Sequence, residues 1–81
     1  MMLDFDYVEW DDANREHIAD NGLTADEVED VLYSPAAKQT RSRSTGRPAV
    51  IGMTSTGKAI IVVYEQDDTV IRPITAYEIE D

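Results

Sequence analysis

The sequence predicts an α+β fold in which two N-terminal helices pack on a small antiparallel sheet of about four strands, with a short extended lead that can add one more. Three observations predict it. Apolar residues recur at helical spacing up to Pro35 and at strand spacing beyond it. Helix-start and helix-stop residues bracket two segments before Pro35. Glycine or aspartate turns divide the rest into four extended runs. At 81 residues the chain is expected to be one domain, residues 1–81; with no cysteine it has to stand on apolar packing, without disulfides or thiolate-bound metal.

The lead, residues 5–10, reads as extended. Asp11 and Asp12 then offer the capping side chain and the negative charge that a helix start prefers. The first helix is expected to bury Trp10, Ala13, His17 and Ile18 and to stop at Asn21-Gly22, where glycine takes a left-handed turn at low cost. Thr24 and Glu27 form a capping box for the second helix, with Leu23 and Val28 as its hydrophobic staple. Val28, Val31 and Leu32 make its buried face and Glu29 and Asp30 are expected to face water. Ser34-Pro35 ends it, because proline disfavours a helical predecessor. Strands follow near 37–43, 48–54, 58–65 and 69–77, separated by Gly46, Thr56-Gly57 and Gln66-Asp67-Asp68, so a meander is expected. Ala59-Ile60-Ile61-Val62-Val63-Tyr64 is apolar on both faces, which puts it at the centre of the sheet.

Seven basic and 17 acidic residues give a net charge of −10, which by itself argues against a phosphate binder. The distribution reverses that impression. Residues 34–58 hold Lys38, Arg41, Arg43, Arg47 and Lys58 and no acid, while the flanking segments hold all the acids with only Arg15 and Arg72. That basic stretch can bind RNA phosphates, contact a protein partner, or be a solvated edge strand. The excess of acid suits a high-salt host as well as an anion-repelling surface. No stretch approaches the roughly 20 apolar residues that span a bilayer, and Met1-Met2-Leu3-Asp4 is acidic where a secretory leader is basic. A reducing cytoplasm is the expected location.

One string of motifs resembles a known family. Trp10-Asp11-Asp12-Ala13-Asn14-Arg15-Glu16-His17-Ile18-Ala19, the turn Gly22-Leu23-Thr24, the run Glu27-Val28-Glu29-Asp30-Val31-Leu32, Pro35, then Gly52, Thr54, Gly57 and Lys58, and finally Ile71-Arg72-Pro73-Ile74-Thr75-Ala76 resemble the BrnT-like toxin family. The resemblance covers nearly the whole chain. It implies a RelE-like fold and a metal-independent ribonuclease that cleaves mRNA and is neutralised by a co-expressed antitoxin. Two positions depart from the family pattern: Tyr77 stands where an arginine is common, ahead of an acidic Glu78-Ile79-Glu80-Asp81, and Asn21 stands where a histidine is common. A second reading follows, in which the scaffold has lost cleavage and serves as a protein-binding module.

Cleavage of RNA without metal needs a base for the 2′-hydroxyl, an acid for the leaving oxygen and cations for the charge building on phosphate. His17 is the only histidine, so it is the candidate proton carrier, with Tyr77 the other; the competing view makes His17 a partly buried residue with one satisfying hydrogen bond. Arg72 interrupts an apolar strand and is the strongest catalytic candidate, since a charge there has to reach a rim or a partner. Lys38, Arg41, Arg43, Arg47 and Lys58 are the RNA-binding candidates, and Arg41 and Arg43, two apart, are expected to share a strand face that Arg72 joins. Tyr64 and Tyr77 can stack on bases or serve as packing residues with a wet hydroxyl. The acids lack the loop spacing of a calcium site and no cofactor motif is present, so neither metal nor cofactor is expected. A thin core and open sheet edges lead to an expected homodimer or antitoxin complex.

Overall fold

The computed structural model describes residues 4–43 and 45–79. The Met1–Leu3 start, Ser44 and the acidic Glu80 and Asp81 lie outside the described residues. In chain order the described residues form β1 (Tyr7–Val8), α1 (Asp12–Asp20), α2 (Ala25–Leu32), β2 (Lys38–Arg41), β3 (Pro48–Met53), β4 (Ala59–Asp67) and β5 (Val70–Glu78). The class is α+β. The sheet runs β1-β5-β4-β3-β2, with β4 in the middle as its two-sided apolar run requires.

The meander from β2 to β5 is antiparallel, but β1 pairs in parallel with β5 through Tyr7 with Val70 and Val8 with Ile71, so the sheet is mixed rather than antiparallel. The connectivity permits it: both helices and three strands separate β1 from β5, and a parallel pair needs such a long connection. Pairing of β4 with β5 slips once. Val63 opposes Thr75 and Tyr64 opposes Pro73, which leaves Ile74 as an extra residue, a β-bulge.

α2 packs on one face of the sheet and α1 along β5 at its edge, with Ile18 reaching the same core. Ile18, Leu23, Val28, Val31, Leu32, Ala37, Val50, Ile60, Val62, Tyr64, Ile71 and Ala76 form the core beneath them, joined by half-buried Phe5, Val8, Trp10 and Ala25. Residues at alternate positions, Ala49, Ile61 and Val63 with Ile74, form a smaller cluster on the other face, which no helix covers. There Ile51, Met53, Tyr77 and Ile79 stay exposed.

The second helix starts as its sequence demands. Thr24 accepts from the Glu27 amide at 3.2 Å while Glu27 accepts from the Thr24 amide at 3.1 Å, and Leu23 and Val28 are buried. It sits close to the sheet because Gly52 has no side chain: a Cβ there would stand 3.1 Å from Val31 Cγ1 and 3.3 Å from Ala37 Cβ. Glu29 and Asp30 do not simply face water as expected. Each is half-buried and tied, Glu29 to the Trp10 indole N–H at 3.2 Å and Asp30 to the Ser55 hydroxyl at 2.7 Å.

The first helix corrects the expected stripe. Ala13 and His17 are exposed, Trp10 is half-buried, and the buried residues are Asn14 and Ile18. Asn14 shares a capping box with Asp11, each side chain accepting from the other's amide at 2.8 Å. Its amide then donates to the Pro73 carbonyl at 3.0 Å, and Asn21 donates to the Ala76 carbonyl at 2.9 Å. This helix lies along the outer edge of β5, where carbonyls need donors, so Asn14 turns inward with Ile18 while exposed His17 and Asn21 reach the same edge from the rim.

Candidate functional site

The basic residues do not gather on one patch. Lys58, at the start of β4, turns to the helix side, where its ammonium lies 3.2 Å from the Glu27 carboxylate and 3.3 Å from the Gly22 carbonyl. Glu27 is buried and also accepts from the Thr56 hydroxyl at 2.7 Å. That hydrogen bond, with Lys58 and the Thr24 amide, outweighs burial and holds the Glu27 carboxyl below its ordinary pKa. Lys58 therefore clamps a helix start to a hairpin and is not available to a phosphate.

Arg47 and Arg72 lie on the helix-free face, both paired with acids. Arg47 bonds Glu65, and Arg72 Nε stands 3.3 Å from Glu9 Oε1. Since Arg72 opposes Glu65 across β5 and β4, four charges form one line over neighbouring strands: Glu9, Arg72, Glu65, Arg47. Each acid sits beside a base, although the Glu9 contact is an ion pair without a hydrogen bond and Arg72 Nε is a buried donor that makes none among the described residues.

The remaining cations mark the β2 edge. All of β2 is exposed, and among the described residues it has no strand on its outer side. The expected pairing of Arg41 and Arg43 on a strand face fails because β2 ends at Arg41 and Arg43 falls in the following turn. Arg41 donates to the Gly46 carbonyl at 3.0 Å, whereas Lys38 and Arg43 have no side-chain partner among the described residues. Thr40, Arg41, Ser42, Arg43, Ile51, Ile61 and Tyr77 line a groove of about 320 Å³ that opens beside this edge.

Of the three catalytic candidates, two come together. His17 and Arg72 line a cavity of about 230 Å³ with Asp11, Ala13, Asn14, Pro73 and Ile74. His17 Nδ1 is 3.3 Å from the Ile74 carbonyl, so that nitrogen carries the proton and Nε2 is left to accept one. Arg72 is compensated by Glu9, and the Asp11 carboxylate beside it further opposes an anion. Tyr77 lines the other groove and takes no part in this cavity. Tyr64 proves to be a core residue, 4 % exposed, and burial pushes its phenol up in pKa, with Arg41 opposing the rise.

Sequence reasoning missed Asn14 and Asn21, whose signal is the spacing of hydrogen-bonding residues at 14, 17 and 21 on one helix face. It also missed Glu9 and Glu65, which neutralise the arginines. Among the described residues no three histidine, aspartate or glutamate side chains are placed to hold a metal ion, and no helix is long and apolar enough to cross a membrane. No protein-family model, curated protein or solved structure matches the chain. The BrnT-like resemblance therefore rests on the sequence motifs alone.

Proposed function

We propose that this chain is a BrnT-like, RelE-like member of a toxin–antitoxin pair that works in the cytoplasm by binding its partner protein, without cleaving RNA. The observation that carries this reading is the state of the cations: Arg47, Lys58 and Arg72 are spent on Glu65, Glu27 and Glu9, and the free ones flank an open strand edge. An extended acidic segment of an antitoxin-like partner fits that edge, adding a strand to β2 and pairing with Lys38 and Arg43. The test is co-expression with the products of the neighbouring reading frames. A stable complex that Lys38→Glu with Arg43→Glu disrupts is expected; growth arrest on expression of the chain alone, or a complex indifferent to both changes, overturns the reading.

A second reading keeps the ribonuclease. It is favoured by the cavity that His17 shares with Arg72, where imidazole Nε2 takes the 2′-hydroxyl proton, the 2′-oxygen displaces the 5′-oxygen from phosphorus, water protonates that leaving oxygen and the guanidinium holds phosphate. Purified chain without divalent metal would then fragment RNA, and Arg72→Ala would stop it. Intact RNA rejects this version.

A further inference from the structure

We infer that the helix-free face of the sheet is an interface between two copies of this chain, related by a two-fold axis that runs along the strands between β4 and β5. This goes beyond the partner-protein reading and does not rest on it, since the β2 edge stays free.

The observation is the line of four charges. Crossing the sheet from β1 to β3 its members are Glu9, Arg72, Glu65 and Arg47, with signs minus, plus, minus, plus. A two-fold interface buries one surface against itself, so the surface has to complement its own rotated image. An axis parallel to the strands lays the sheets face to face and reverses strand order. The ends of the line then exchange and so do its middle members. Glu9 meets Arg47 of the second copy and Arg72 meets its Glu65, acid on base at all four places. An axis across the strands keeps the order and stacks each charge on its own kind. Electrostatics alone selects the first arrangement.

The apolar part of the face agrees with the same axis. Below the charges, Tyr77 on β5 pairs with Ile61 on β4, and Thr75 with Val63. Rotation places exposed Tyr77 over Ile61 of the second copy and Thr75 over its Val63; Ala49, Ile61 and Val63 are already buried within one chain, so the apolar surface this contact covers is that of Tyr77. Sheets stack face to face about 10 Å apart, a gap that facing arginine and glutamate side chains span together. α2, with Asp26, Glu27, Glu29 and Asp30, packs on the opposite face, so its four acids stay away from the contact.

Sedimentation equilibrium of the purified chain tests this. The wild type is expected at twice the 9.1 kDa chain mass. Arg72→Glu and Glu65→Arg each create two like-charge contacts across the axis, and each is expected to raise the dimer dissociation constant about 100-fold or more. Mixed one to one, the two variants are expected to pair, because each reversed charge then meets an opposite one. Misfolded chains cannot recover in that way. Tyr77→Asp, at an exposed position, is expected to dissociate the dimer while leaving the circular dichroism spectrum unchanged. A monomeric wild type at millimolar concentration overturns the proposal. So do a mixture of folded single variants that stays monomeric and a Tyr77→Asp chain that remains dimeric, the last being decisive if the charge variants unfold.

Discussion

The two helices dock on one sheet by opposite chemistry. α2 crosses the face, burying Val28, Val31 and Leu32, and its rim carboxylates hold the β3–β4 turn: Glu27 takes Thr56 and Lys58, and Asp30 takes Ser55. α1 runs along the β5 edge and offers side-chain donors, Asn14, His17 and Asn21, to the carbonyls of Pro73, Ile74 and Ala76. A helix on a sheet face answers apolar surface; a helix on a sheet edge has to answer backbone carbonyls. The α2 docking is therefore apolar with an acid-sensitive ionic rim, while two of the three α1 contacts are asparagine amides, which do not titrate.

The difference can be broken at either helix. Glu27→Ala is expected to cost most, about 3 kcal/mol in urea unfolding, since it removes the cap, the Thr56 bond and the partner of Lys58 together. Acid reaches the same contact. The folded-state pKa of Glu27 lies below that of the unfolded chain, so its contribution is full above the ordinary value of 4.5 and is lost as pH falls through the depressed value. Hydrogen exchange below pH 4.5 should open α2 and residues 54–58 ahead of α1, and Glu27→Gln should flatten that dependence. Uniform opening of both helices breaks the comparison.

At the other helix, Asn14→Ala is expected to cost about 2 kcal/mol, leaving the buried Pro73 carbonyl without a donor and the Asp11 cap without its reciprocal bond. Asn21→Ala, more exposed, should cost about 1 kcal/mol. Both losses should be the same in neutral and acid buffer. Smallest of all, Lys38→Glu should change stability by less than about 0.5 kcal/mol, since its exposed side chain makes no hydrogen bond or ion pair among the described residues.

Much of this arrangement was legible in the sequence. The Thr24–Glu27 box placed α2, the glycine and aspartate turns placed β2 to β5, and the two-sided run at 59–64 placed β4 centrally. Periodicity misplaced α1's inner face because it counts apolar residues, while an edge-docked helix turns amides inward. The site was less legible still. Arg47 and Arg72 were visible as cations, but whether Glu9 and Glu65 stand beside them depends on strand register and on the parallel return of β1, neither of which local spacing encodes. Segregated charge along a chain is not segregated charge in space.

The extra residue in β5 adds an acceptor rather than a length. Across the β4 pairing Pro73 and Ala76 stand opposite Tyr64 and Val62, only two residues apart, so their carbonyls share one edge with or without Ile74. What Ile74 supplies is a further outward carbonyl, the one that His17 meets, between those taken by Asn14 and Asn21. Its deletion would leave every β5 side chain on its present face and both asparagine anchors in place, and would take from α1 the middle of its contacts.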